Sequence, residues 1–196
     1  MEKEKKYILF RGTVTGKYYN NIEKNDRLKF AKFLDILKDT NKKLYDLFDF
    51  SLYTNKLDIK IENNDLIFYN CNIVKSKFEY YDELFNKPKN YKNSEFKYII
   101  NIDGEVNAWR LAAELSYNSV ILIVDSQYNY KSWFYKYLIP YIHYIPIKND
   151  LSNLLEEIIK LIDDDVYAEN IANNSVKFYE KYLTKEGILK YLHKTL

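Results

Sequence analysis

Apolar residues along this chain gather into short runs and helical stripes that take turns. Tyr7–Phe10 is an apolar run fit for a strand. Leu28, Ala31, Leu34 and Leu37 recur at helical spacing behind a capping pair, Asn25-Asp26. Asn41 to Asn93 carries weaker signals: strand pieces at Leu57–Ile61 and Leu66–Tyr69 about a turn at Asn63-Asn64-Asp65, a short helix around Tyr80–Phe85, and a loop at Lys87-Pro88-Lys89-Asn90. From Lys97 the alternation is regular, with strands over 97–102, 119–124 and 142–147 and helices near 106–117 and 130–138. Asp150 or Ser152 caps the next helix, whose apolar stripe is Leu151, Leu154, Leu155, Ile158, Ile159 and Ile162. Ala168, Ile171, Ala172, Ser175, Tyr179 and Tyr182 form a further stripe, and Thr184 caps a last helix, Glu186–His193.

Strands alternating with helices at this spacing predict an α/β fold, a Rossmann-like parallel sheet with helices on both faces. The 196 residues suit a single domain over 1–196. Asp163-Asp164-Asp165 falls between two helices and reads as the cap of the second, with a metal-binding acidic motif as the rival reading. No metal site is expected.

Composition narrows the function. Hydrophobic residues make up 47% of the chain, enough for a core. Its 30 basic and 28 acidic residues nearly balance, which argues against nucleic-acid binding by bulk charge. The 21 tyrosines accompany many lysines, asparagines and isoleucines, a bias that AT-rich codons explain; tyrosine-rich sugar binding is the sharper alternative. The single cysteine, Cys71, cannot form an internal disulfide and reads as inert. The opening residues lack the apolar run of a signal peptide, no window reaches membrane-spanning length, and the closing YLHKTL is not a retention signal. A soluble, cytoplasmic protein without a membrane partner is expected. The sequon Asn173-Asn174-Ser175 reads as a chance occurrence.

The chemistry concentrates in residues 97 to 148. A buried-type strand runs into Asp103-Gly104, and Arg110 follows in the first turns of the next helix. Peptide N–H groups at a helix start and the fixed donor fork of an arginine both suit phosphate oxygens. Gly104 permits close approach of the backbone to a ligand. The order points to a nucleotide or nucleotide-sugar site outside the carboxyl ends of the strands. Asp103 and Asp125 follow strands and are placed to touch ribose hydroxyls.

Three blocks stand in order along the chain. The first is Phe10-Arg11-Gly12-Thr13-Val14-Thr15-Gly16 with Asn25-Asp26-Arg27-Leu28. The second runs from Lys97 to Gly104 and on through Trp109-Arg110. The third joins Trp133-Phe134-Tyr135, Leu138 to Pro146, and Asp150 to Leu154. Together, over most of residues 7 to 183, they resemble glycosyltransferase family 90, the capsule-associated glycosyltransferases and protein O-glucosyl- and O-xylosyltransferases. The resemblance implies a chain equivalent to the C-terminal, donor-binding lobe of a GT-B glycosyltransferase, holding a UDP-sugar. It implies that Arg110 contacts the diphosphate, that Gly104, Val106, Asn107, Ala108 and Trp109 pack on the nucleotide through backbone N–H groups, and that Arg11, Gly12, Thr13 and Thr15 face the same crevice. Arg27 is a second phosphate partner by the same likeness.

Blander readings stand beside these. Arg11 pairs structurally with a carboxylate, Thr13 and Thr15 serve a turn, Arg110 is a surface helix residue, His143 is structural within a strand, and Trp109 and Trp133 are packing residues. Relatives commonly carry serine where this chain has Ala108. The family's catalytic base is an aspartate in an acceptor lobe upstream of the first block, and no residue here matches it. The expectation is therefore a UDP-sugar-dependent glycosyltransferase without its acceptor lobe, with no catalytic residue assigned and no cofactor beyond the donor substrate. Its partners are the UDP-sugar, an acceptor glycan or protein hydroxyl, and a second chain supplying the acceptor lobe. The alternative is a non-catalytic UDP-sugar-binding or interaction module; an unrelated Rossmann-like domain is a third.

Overall fold

The computed structural model describes residues 5–13, 24–53, 58–62, 65–69, 92–104 and 106–195. In chain order the elements begin with β1 (Lys5–Thr13), α1 (Asp26–Thr40), α2 (Lys42–Tyr45), β2 (Phe48–Tyr53), β3 (Asp58–Glu62) and β4 (Asp65–Tyr69). They continue with β5 (Phe96–Asn101), α3 (Leu111–Glu114), β6 (Val120–Val124), a 3-10 turn over Trp133–Tyr137, and β7 (Ile145–Ile147). The chain closes with α4 (Leu154–Asp163), α5 (Asp165–Tyr182) and α6 (Lys185–Thr195).

Five strands form one sheet in the order β2-β1-β5-β6-β7, and every described pairing in it is parallel. β3 and β4 pair antiparallel as a separate hairpin. A parallel sheet hides both faces, so its strands read as continuous apolar runs. β6 is buried at all five positions of VILIV. Successive side chains alternate between the faces. Ile8, Phe10, Tyr98, Ile100, Leu122 and Val124 pack against α1, α4 and the first half of α5. Leu9, Ile99, Ile121 and Ile123 pack with Leu111, Leu115, Phe134 and Phe178 on the other side. α5 contributes Ala168, Ile171 and Ala172 to one cluster and Phe178 to the other.

The helix caps follow their side chains. Asn25 caps α1 by accepting from the amides of Arg27 and Leu28. Asp164 caps α5 through the amide of Tyr167, which assigns the acidic run to capping. Thr184 accepts from the amide of Gly187 at the start of α6. The cap before α4 is neither Asp150 nor Ser152. Asn153 occupies that position, and its side chain instead bonds the amide of Lys148 and the carbonyl of Pro146.

Three expected elements are shorter than the periodicity suggested. The helix expected near 106–117 is the single turn α3. On its near side Asp103 captures the amide of Ala108 and keeps the preceding residues as loop; on its far side Asn118 adopts φ 52. The helix expected near 130–138 is the 3-10 turn, and the strand expected over 142–147 begins at Ile145, after Tyr141 takes φ 61. β2 was not expected, although Phe48, Phe50 and Leu52 alternate with polar residues. The short helix around Tyr80–Phe85, the Lys87–Asn90 loop and Cys71 lie outside the described residues.

α6 folds back tightly on α5. A Cβ built at Gly187 would lie 2.7 Å from the carbonyl oxygen of Lys181 and 2.8 Å from the carbonyl carbon of Tyr182, both backbone atoms. Gly187→Ala is expected to destabilise the chain by about 1–3 kcal/mol, the usual cost of overpacking. Urea unfolding midpoints measure it, with Leu189→Ala on the exposed side of α6 as a neutral control.

Candidate functional site

Counting only its own strands, the large sheet has the order 2-1-3-4-5. The chain leaves β1 toward β2 and leaves β5 in the other direction toward β6. In open α/β sheets ligands bind outside the carboxyl ends of the strands at such a reversal, which here lies between β1 and β5. Gly12 and Thr13 end β1; Asn101 ends β5 and is followed by Ile102, Asp103 and Gly104.

Arg110, immediately before α3, reaches back across this point. Its guanidinium lies 5.1 Å from the centroid of the Phe10 ring. Its Nη1 donates to the carbonyl oxygen of Arg11 at 2.9 Å, and its Nε pairs with Oε1 of Glu114 at 2.9 Å. Nη2 is buried and has no hydrogen-bond partner among the described residues. Glu114 is itself buried, and its second oxygen accepts from Nδ2 of Asn101 at 2.5 Å. Burial raises the Glu114 carboxyl against the opposing pull of Arg110, Asn101 and Arg27.

Arg27 approaches the same Phe10 ring at 5.9 Å and donates from Nη2 to the carbonyl oxygen of Ile102 at 3.2 Å. Burial first, then the neighbouring charge of Arg110, lowers its pKa to about 10, while Asp103 and Glu114 act the other way. Gly12 belongs to this contact: a Cβ there would meet the Phe10 ring at 2.9 Å and Nη1 of Arg27 at 3.5 Å. The bare backbone lets the Phe10 ring close in, while the Arg27 contact would be an ordinary one.

The remaining residues divide. The Arg11 guanidinium is turned to β2, where it pairs with the Asp49 carboxylate at 2.5 Å and the Asp49 carbonyl at 2.7 Å; the carboxylate-partner reading describes it. Thr13 closes β1, and Thr15 lies outside the described residues. In the loop after β5, the Gly104 amide bonds the carbonyl of Val106, and the Ala108 amide bonds Asp103 at 2.8 Å. Those two amides are occupied within the loop, and α3 has four residues, so the expected helix N-terminus contributes little here. Val106 is exposed and Trp109 is 88% exposed. Asn107 donates to the hydroxyl of Ser132, joining the loop after β5 to the loop after β6. Asp125 is exposed, with its carbonyl held by Asn149.

His143 is structural. It lies before β7, its Nδ1 accepts from the Ile139 amide, and its ring packs beside Phe178, with burial lowering its pKa. Trp133 stacks on Tyr191. Asn101, Glu114 and Asp26 were not foreseen. Asp26 accepts from Lys29, Gln127 and Asn149 beside the crevice. A polar residue closing the apolar run KYIIN and an acid four residues after Arg110 were the available signals. Among the described residues no cluster of acids, histidines and cysteines fits a metal ion, and no helix is long and apolar enough to cross a membrane.

Asp103 shapes the loop that carries Arg110. Asp103→Ala leaves the Ala108 amide without its acceptor and is expected to cost about 1–3 kcal/mol, with faster hydrogen exchange there; Asp103→Asn keeps an acceptor and costs less. Burial is the largest influence on Asp103 and raises its pKa. A raised folded-state carboxyl stabilises below its ordinary pKa and loses that contribution as pH rises through the folded value. Melting across pH should therefore show the unsubstituted chain losing ground to Asp103→Asn as pH leaves the acid range.

The profile of Glycosyl transferase family 90 matches residues 40–196. Protein 179R of Invertebrate iridescent virus 6 is 45% identical over 106 residues, 52% of this chain and 9% of its own length. Protein 035R of Invertebrate iridescent virus 3 is 31% identical over 196 residues, 96% of this chain and 16% of its own length. Protein O-glucosyltransferase 2 of Danio rerio is 42% identical over 100 residues, 51% of this chain and 20% of its own length. The chain thus spans a fifth or less of each of these three relatives.

Proposed function

The chain belongs to glycosyl transferase family 90, and from that premise we propose that it holds the diphosphate of a UDP-sugar in the crevice between β1 and β5. It then provides the donor side of sugar transfer to an acceptor hydroxyl. One observation carries this reading: the buried Nη2 of Arg110, a cationic donor without a partner among the described residues, stands at the reversal of strand order. Phosphate oxygen is the acceptor that an arginine at such a place suits best.

The chemistry assigned to the chain is electrostatic. An acceptor hydroxyl attacks the anomeric carbon and loses its proton to a carboxylate, while the bond to the UDP oxygen breaks. Arg110, with the buried charge of Arg27 behind it, offsets the negative charge gathering on the leaving diphosphate. No residue of this chain is assigned as the base. The name protein O-glucosyltransferase, carried by relatives from Danio rerio and Homo sapiens, favours a glucosyl donor and a protein hydroxyl acceptor.

UDP at one hundred times its dissociation constant should stabilise the fold by about 2.7 kcal/mol, a rise of several degrees in melting temperature. Arg110→Ala should abolish most of that rise. It is best made together with Glu114→Gln, because a lone buried carboxylate would itself destabilise the chain. Absence of any shift with UDP would overturn the proposal. Turnover of UDP-glucose with a protein acceptor then separates a transferase from a donor-binding module.

A further inference from the structure

We propose that Asn101 and Glu114 are a positioning pair that aims Arg110 and keeps one of its donors uncommitted for the ligand. The inference rests on the diphosphate reading above and adds how the site is kept competent. Nε and Nη2 share one edge of a planar guanidinium, the edge a carboxylate takes with both oxygens in a bidentate pair. Glu114 takes only half of it. Its Oε1 meets Nε, but its Oε2 is drawn away by Nδ2 of Asn101. Nη2 is left as a buried donor without a partner among the described residues.

The other contacts make this arrangement rigid. Asn101 ends the central strand β5 and is 1% exposed; Glu114 is 2% exposed. Nη1 of Arg110 is fixed by the carbonyl oxygen of Arg11, and the Phe10 ring lies against the guanidinium. Two of the three guanidinium nitrogens are therefore anchored to two strand ends and a helix turn. Without Asn101, the freed carboxylate oxygen of Glu114 closes onto Nη2. The guanidinium then becomes an internal bidentate pair that a phosphate must break.

UDP and uridine test the idea together, because only UDP carries phosphate oxygens to take up the uncommitted donor. Affinities for both are measured on the full chain, with thermal melts reporting folding. Asn101→Ala is expected to weaken UDP about tenfold and leave uridine unchanged. Asn101→Ala combined with Glu114→Gln is expected to restore UDP, since a glutamine has a single oxygen and cannot close the fork. Glu114→Gln alone should bind UDP at least as tightly as the unsubstituted chain, and it decides the matter if Asn101→Ala does not fold. An unchanged UDP-to-uridine ratio in Asn101→Ala, no recovery in the double variant, or weaker UDP binding in Glu114→Gln would each overturn the positioning role while the diphosphate reading stands. An unsubstituted chain that binds no UDP removes both.

Discussion

The hydrogen bond from Arg110 to the main-chain oxygen of Arg11 joins the two strand ends at which the sheet reverses its order. β1 and β5 lie side by side, yet the strand order runs on in opposite directions from them, to β2 and to β6. Arg110 enters from the β5 side and is received on the β1 side. Its resting surface, Phe10, is a core residue, stacked on Phe50 at 5.2 Å and near Phe30 at 6.2 Å. The Arg110 guanidinium is thus seated on the packed interior.

Charge at this point is nearly self-cancelling. Arg27 and Arg110 bring two positive charges, and Asp103 and Glu114 bring two carboxyls whose pKa values burial raises. Buried pairs of this kind contribute little net stability, because desolvation offsets most of their attraction. Their value lies in geometry: each partner holds another in place. The loop after β5 spends its Gly104 and Ala108 amides on itself. The proposed diphosphate site therefore rests on a side-chain donor more than on a row of peptide N–H groups or a helix end.

Much of this was readable from the residues. The apolar runs of β5 and β6, the stripe of α1 and its Asn25 cap gave the parallel α/β arrangement, because a sheet buried on both faces writes itself as unbroken hydrophobic sequence. The segment holding Gly104 and Arg110 follows β5, at the reversal of strand order. What stayed hidden were tertiary choices. Nothing local says that Arg11 turns to Asp49, 38 residues away, or that Asp103 takes the Ala108 amide and cuts the expected helix to one turn. The alternation of Phe48, Phe50 and Leu52 does spell out β2, but it stands among weaker patterns. Asn101 and Glu114 became meaningful only once the strand end and the helix turn were brought together.

The family profile begins at residue 40, so β1, α1 and the residues Arg11, Gly12 and Arg27 precede the match. Packing shows that they cannot be treated as an appendage. β1 is the strand between β2 and β5; without it β2 has no neighbour in the sheet and β5 presents an open edge. The acceptor for Nη1 of Arg110 and the ring beneath its guanidinium both come from β1. Protein 035R, aligned over 96% of this chain, reaches across the same segment. The seat of Arg110 is therefore a joint product of the matched and unmatched parts, and the unmatched part supplies the surface against which it is set.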